Sequence, residues 1–322
     1  MSYHIVSIDA ANCSLTCRDG QLICKSAEGE KNLPLEDVAS IIITSWSAQI
    51  HSELFLQAAK HGVALIICES FKPVSLVLPA NRSTDTLLSR ALLTLPSRAR
   101  ETLWQKTVDA KCANQLSLAE QFAPGDARLA AFRRAALGKK PHKEAICARA
   151  FWQIFGTATA GMPRVVTDET RMDADKSFTR TRDGGGLNDL LNYGYAVLLS
   201  TVLQKLFGVG LDPTWGISHA PRERATPLAY DLMEPFRPCV DWRVFQWVRL
   251  HPDPKDWTVT KEYRRWVTGF PLERVEYLEF TLEIQGVIEG VVRGFRRAVL
   301  EHKPAFYRPW TREGKWEMED GR

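Results

Sequence analysis

Between Gly216 and Pro238 the chain reads GISHAPRERATPLAYDLMEPFRP, which gathers His219, Asp231 and Glu234 into one short window. Thr226 followed by Pro227 has the form of an N-cap and a first helical residue, and Pro235 ends or kinks that helix at Glu234. Asp231 and Glu234, three residues apart, then share a helix face, with His219 on the preceding loop and able to swing toward them. Two hard oxygen donors and one imidazole suit Mg²⁺ or Mn²⁺ better than zinc, because no thiolate is near and Cys239 lies beyond the helix. The same residues allow a plainer arrangement: Asp231 and Glu234 in surface ion pairs with Arg222, Arg224 or Arg237, and His219 capping a turn. The window alone leaves both open.

Charge adds a second feature. The net charge is +4, yet over residues 1–86 acids outnumber bases by nine to six, so the basic surplus belongs to the rest of the chain. From Arg128 to Arg149 there are seven bases (Arg128, Arg133, Arg134, Lys139, Lys140, Lys143 and Arg149) and one acid, Glu144. Such a run attracts polyanions or forms a solvated helix face.

The elements that must position these residues fall into two groups. His4–Asp9 alternates as a strand, and Ser14–Cys17 and Leu22–Cys24 flank Arg18-Asp19-Gly20, a hairpin turn in which Asp-Gly tolerates positive φ. Ala39–Thr44, Val63–Cys68 and Val74–Leu78 read as further strands. Ala48–Lys60 has helical spacing and stops at Gly62. Residues 81–86 read as a linker. Beyond it helical periodicity dominates: Leu87–Leu95, Ser97–Gln121, Lys143–Phe155, Leu187–Phe207 and a long last helix over Leu272–Leu300. Thr167–Gly186 reads as a mobile loop, and the tail from Lys303 as a poorly ordered segment or partner contact. The expected fold is α+β and multi-domain: a β-rich N-terminal domain over 1–80 and an α-helical domain over 87–322. Strands and helices do not alternate throughout, which argues against a doubly wound nucleotide-binding fold.

Composition fits this layout. The 322 residues are 45% apolar and 25% charged, as in folded globular proteins. No apolar run reaches the roughly 18 residues of a spanning helix, so no membrane partner is expected. The N-terminus opens as an alternating strand rather than a charged leader, and the seven scattered cysteines read as buried free thiols, so a cytoplasmic protein is expected.

With these residues in view, the chain resembles the CRISPR-associated protein 1 family of spacer-acquisition integrases and endonucleases, most closely its type II branch. The resemblance covers nearly the whole chain. It rests on Leu190-Leu191-Asn192-Tyr193-Gly194-Tyr195-Ala196, the Gly216–His219 turn and Asp231-Leu232-Met233-Glu234-Pro235-Phe236-Arg237-Pro238, and more weakly on Leu103-Trp104 with Lys111 and Asn114-Gln115. The run Lys139–Lys143 is more basic, and Met162–Gly186 longer, than the family pattern suggests.

The resemblance implies a site of Glu144, His219 and Glu234 holding Mg²⁺ or Mn²⁺, with Asp231 a possible further acid near the metal. It implies a homodimer paired through N-terminal domains, two such dimers flanking a dimer of CRISPR-associated protein 2, and double-stranded DNA as substrate. The 3′-OH ends of a protospacer then attack phosphodiesters at the boundaries of a CRISPR repeat by metal-assisted transesterification. Phosphate contacts are expected from Arg133, Arg134, Lys139, Lys140, Lys143, Arg180, Arg182, Arg222 and Arg224. Asn188 and Asn192 are expected to brace the site or touch a phosphate. Tyr193 and Tyr195 either stack on a frayed base or sit in the core. Two other functions remain compatible with the residues: a nuclease acting on branched or flapped DNA without integration, and a non-catalytic DNA-binding scaffold of the same fold.

Overall fold

The computed structural model describes residues 4–77, 86–138, 142–160, 178, 180–181, 185–219 and 225–316. Strands cluster at the N-terminal end and helices dominate afterwards, giving the expected α+β fold. Residues 81–85 of the expected linker lie outside the described residues.

The chain divides into two compact units. One comprises Met1–Arg100, Ala196–Leu232 and Ile288–Tyr307; the other comprises Glu101–Tyr195, Met233–Val287 and Arg308–Arg322.

The first unit holds strands β1 (His4–Ile8), β2 (Ser14–Arg18), β3 (Gln21–Ser26), β4 (Gly29–Pro34), β5 (Val38–Ile43) and β6 (Gln49–Ile50), helix α1 (Ser52–His61), and strands β7 (Ala64–Glu69) and β8 (Lys72–Val77). They form two four-stranded sheets, ordered β1-β5-β7-β8 and β4-β3-β2-β6. β5 (VASIII) is buried at every position, as a strand covered on both faces and flanked by two parallel neighbours must be. Leu15 and Leu22 of one sheet, Ile41, Ile43 and Leu65 of the other, and Leu54 and Ala58 of α1 meet in a single core. Asp19 and Gly20 both adopt positive φ and close the β2–β3 hairpin as read from sequence. Gly62, at φ +68°, ends α1 with its N–H on the Ala58 and Ala59 carbonyls. Neither β4 nor β6 was expected. β4 (GEKNLP) is an edge strand with no β-branched residue, and β6 has only two residues.

The helices that follow are α2 (Thr86–Leu93), α3 (Ser97–Phe122), α4 (Leu129–Leu137), α5 (Lys143–Ala160), α6 (Leu187–Gly208), α7 (Pro227–Met233), α8 (Arg237–Leu250) and α9 (Lys261–Thr268). In the second unit, Phe122 of α3 stacks on Phe245 of α8 at 4.8 Å between centroids and meets Phe151 of α5 at 6.1 Å. This aromatic cluster ties α3, α5 and α8 together. Gly194 lets α6 press on α8 and α9, since a Cβ there would fall 2.5 Å from Val240 Cγ1.

The long helix expected over Leu272–Leu300 is shorter. A hairpin of β9 (Arg274–Tyr277) and β10 (Phe280–Glu283) comes first, and helix α10 runs only over Ile284–Leu300. Its turn places Leu278 and Glu279 at φ +50° and +70°. These residues carry none of the Asn or Gly signal that normally announces such a turn.

Candidate active site

Three elements of the second unit converge on one lysine. Lys111 lies in α3, Glu144 in the first turn of α5, and Glu234 opens the 3₁₀ turn Glu234–Phe236 between α7 and α8. Pro235 cannot donate an N–H to continue α7, so the chain tightens into this turn and restarts as α8 at Arg237. Lys111 Nζ sits 2.6 Å from Glu144 Oε1 and 2.6 Å from Glu234 Oε2. Glu234 Oε1 accepts a bond from Arg237 Nε at 2.9 Å. The Lys111 and Glu234 side chains are 11% and 4% exposed, while Glu144 is 36% exposed and opens toward solvent. Burial pushes the Lys111 ammonium pKa down, but the charges of Glu234 and Glu144 outweigh this and hold it above the ordinary lysine value.

Asn114, one turn along α3 from Lys111, fixes the backbone of the Glu234 turn. Its Nδ2 donates to the Pro235 carbonyl at 2.7 Å and to the Trp310 carbonyl at 3.1 Å, and its Oδ1 accepts from the Arg312 N–H at 2.7 Å. Trp310 stacks on Phe236 at 5.6 Å, so the segment after α10 supports the same turn.

In the first unit, Asp231 organises the loop that carries His219. Asp231 is fully buried. Its Oδ2 accepts from the Ile217 and Ser218 N–H groups at 2.6 and 3.0 Å. Its Oδ1 accepts from the His219 N–H at 3.2 Å and lies 2.7 Å from His219 Nδ1. A proton on Nδ1 toward this carboxylate leaves Nε2 as the basic nitrogen of the ring. Gly216 is required for the turn, because a Cβ would meet Asp231 Oδ2 and the His219 carbonyl at 2.7 Å each. Arg100 Nη1 holds the Gly216 carbonyl at 2.9 Å from the other side. Pro227 opens α7 as expected, and the Thr226 carbonyl accepts from Ala229 and Tyr230. The Thr226 hydroxyl, by contrast, makes no capping bond among the described residues.

Of the expected ligands, then, Glu144 and Glu234 are brought together on Lys111, and His219 is held by Asp231. Among the described residues no three ligating side chains are assembled into a metal cage. The donor set still fits a hard divalent cation: two carboxylate oxygens share a cationic group, as they would share Mg²⁺ or Mn²⁺. Asp231 has each of its four lone-pair positions engaged by the loop, so its carboxylate holds that loop together.

The expected DNA contacts divide. Arg133 and Arg134 are exposed on α4, Arg133 in an ion pair with Glu120. Lys143 is buried and bound to Asp109 at 2.5 Å. Arg180 turns inward: its guanidinium donates to the side-chain oxygens of Asn188 and Asn192 and lies 5.5 Å from the centre of the Tyr195 ring. Asn188 and Asn192 therefore brace Arg180. Lys139, Lys140, Arg182, Arg222 and Arg224 lie outside the described residues. Tyr193 and Tyr195 are core residues, which removes the base-stacking role. Tyr195 donates its hydroxyl to the buried Asp241 and supports the Arg237 guanidinium 4.6 Å above its ring. Lys111, Asn114, Arg237 and Asp241 gained no site role from sequence. Lys111, Asn114 and Arg237 do lie in blocks that carried the resemblance, and Arg237 was also named there as an ion-pair partner, which the structure gives to Glu234.

No helix among the described residues is long and apolar enough to cross a membrane. The family model for CRISPR associated protein Cas1 matches residues 6–267. A CRISPR-associated endonuclease Cas1 from Neisseria meningitidis serogroup C (strain 8013) is 30% identical over 239 residues, 71% of each chain. Among solved structures, a casposase bound to integration product superposes with a TM-score of 0.72 at 22% identity, over 99% of this chain and 95% of that one. A Cas6-RT-Cas1–Cas2 complex has a chain that matches with a TM-score of 0.75 at 15% identity, covering 98% of this chain and 37% of its own length. On the extent of the family match and the likeness of these relatives, the chain belongs to the CRISPR-associated Cas1 family.

Proposed function

We propose that this protein is a divalent-metal-dependent DNA endonuclease and integrase that inserts protospacer DNA into a CRISPR array by transesterification. The observation that carries this reading is the convergence of Glu144 and Glu234, from two different helical elements, on one cation. Glu144, Glu234 and the Nε2 of His219 are the groups that would hold Mg²⁺ or Mn²⁺. When bound, the ion polarises the scissile phosphodiester and stabilises charge on the attacking and leaving oxygens. Asp231 holds His219 through its Nδ1, which turns Nε2 to the metal, and Arg237 and Asn114 fix the Glu234 carboxylate and its backbone. The protospacer 3′ oxygen forms the new P–O bond, the repeat strand's P–O bond breaks, and the attacking hydroxyl's proton ends on the leaving oxygen.

Lys143 and Arg180 are engaged within the fold, so the DNA backbone falls to Arg133, Arg134, Lys139, Lys140, Arg182, Arg222 and Arg224. The Arg133–Glu120 pair is exposed and readily exchanged for a phosphate. Residues 1–80 serve as the dimerisation domain and 87–322 as the catalytic domain. The working assembly is a cytoplasmic homodimer that joins a dimer of CRISPR-associated protein 2. The likeness to a casposase bound to integration product and to a Cas6-RT-Cas1–Cas2 complex lends support to integration and to that partnership.

The test is the joining of labelled 3′-OH DNA to a repeat-bearing plasmid in Mg²⁺ or Mn²⁺. Glu144→Ala, His219→Ala and Glu234→Ala should each abolish the joined product while dimers persist in gel filtration. Full activity in any of the three overturns the ligand assignment. Cleavage of branched DNA by the wild-type protein without any joined product replaces the integrase reading with that of a structure-specific nuclease.

A further inference from the structure

The cation already between Glu144 and Glu234 belongs to the protein itself. Lys111 Nζ is 2.6 Å from one oxygen of each carboxylate, so those two oxygens are no farther apart than twice that distance. The second oxygen of Glu234 is bound to Arg237. The Glu234 oxygen that faces Glu144 is therefore the one Lys111 holds, and any metal shared by the two carboxylates must approach that same oxygen.

Charge makes this a contest. Glu144 and Glu234 carry two negative charges, and Lys111 and Arg237 carry two positive ones, so the cluster is neutral as it stands. Adding a divalent ion with Lys111 in place would leave two excess positive charges around a carboxylate that is only 4% exposed. At short range and in poor solvent screening such repulsion is large. Removing the Lys111 ammonium from the gap lowers that repulsion and frees two oxygens at once. Lysine suits the task because its charge is compact and sits on a flexible stem, whereas a planar guanidinium would clamp both carboxylates. The 36% exposure of Glu144 gives an incoming ion a route from solvent.

We infer that Lys111 is a built-in counter-ion that takes the metal's place between Glu144 and Glu234 in the metal-free protein, so that loading a divalent ion requires its ammonium to move aside. The inference rests on the metal site proposed above. It assigns Lys111 two effects: it stabilises the metal-free fold, and it weakens metal binding.

The experiment measures Mn²⁺ binding to the full-length protein without DNA, from the electron paramagnetic resonance signal of free Mn²⁺, alongside thermal melting with and without Mn²⁺. Lys111→Met keeps length and removes charge. It should bind Mn²⁺ about tenfold or more tightly than wild type, melt lower without metal, and gain more from added Mn²⁺. Lys111→Arg should bind no more tightly than wild type. Glu144→Gln in the Lys111→Met background should abolish the gain, locating the ion at this pair. If Lys111→Met folds only with Mn²⁺ present, folding uses part of the binding energy, so the midpoint of its Mn²⁺-induced folding multiplied by its folded fraction without metal should lie below the wild-type dissociation constant. Unchanged or weaker Mn²⁺ binding by Lys111→Met, with wild type binding normally, overturns the counter-ion role and leaves the metal site standing. No Mn²⁺ binding by either protein overturns the metal site and this inference with it.

Discussion

Asn114 Nδ2 donates to the carbonyl of Pro235 at 2.7 Å, which ties the middle of α3 to the backbone beside Glu234. Pro238, three residues on, has no N–H to give this carbonyl, and Asn114 supplies the donor that the buried group needs. The asparagine thereby holds the backbone that carries the Glu234 carboxylate.

Asn114→Ala removes that bond, the bond to Trp310 and the acceptor for the Arg312 N–H from a site that is 1% exposed. Leaving buried polar groups unpartnered costs about 1–3 kcal/mol each, so with three of them a loss of at least about 3 kcal/mol is expected in urea denaturation. Asn114→Asp restores the acceptor but not the donor, and should recover only part of the loss.

Asp231→Asn tests the support of His219. The amide can accept from only one oxygen, so at least one of the Ile217, Ser218 and His219 N–H groups loses its partner, and the preference for hydrogen on Nδ1 weakens. Substitutions that disturb the group orienting a metal-binding histidine typically cost about 10–100-fold, and a fall of that size is expected in plasmid joining and in Mn²⁺ affinity. Wild-type values for both would show that the Asp231 carboxylate does not set the imidazole's orientation.

These two cases mark what the amino-acid order conveys and what it withholds. Asp19-Gly20 and Gly62 announced a hairpin and a helix end because positive φ has a residue signature, and the structure follows both. The hairpin at Leu278-Glu279 was hidden because the same backbone is formed there by residues that lack the signature. The window around His219 and Glu234 was legible because its side chains have few other uses in one short stretch. The role of Lys111 was not, since lysine is ordinarily a surface residue and only three-dimensional packing puts one between two carboxylates. Likewise Asp231 looked like a further ligand in sequence, and only the loop's backbone N–H groups reveal where its oxygens are used.

Gly216→Ala should separate function from folding. The added Cβ would meet the His219 carbonyl and Asp231 Oδ2 at 2.7 Å each, and the backbone carbonyl cannot swing aside as a side-chain tip can. The turn must shift, which moves His219 and lengthens its bond to Asp231. Overpacking of this kind costs about 1–3 kcal/mol. Joining activity should fall by more than that stability loss accounts for, read as initial rate at a temperature where circular dichroism shows the variant folded.

Stability should also depend on pH through Asp241. Tyr195 donates its hydroxyl to Asp241, and Arg237, which binds Glu234, lies over the Tyr195 ring. Burial pushes the Asp241 carboxyl up from 3.8 to about 7, against the bond from Tyr195 and the charges of Arg237 and Arg180, which pull it down. The folded protein therefore keeps a proton on Asp241 over a range where the unfolded chain has lost it. The stabilising effect of that proton is complete below the unfolded value of 3.8 and is lost as pH rises through about 7. Asp241→Asn retains an acceptor for Tyr195 and cannot ionise, so it removes this contribution to the slope. Between pH 5 and pH 8 the wild-type protein should lose on the order of 2–3 kcal/mol more than the variant in urea denaturation. Parallel slopes for the two proteins would mean that Asp241 is ionised across the whole range, stabilised by Arg180 and Arg237 more strongly than burial opposes it.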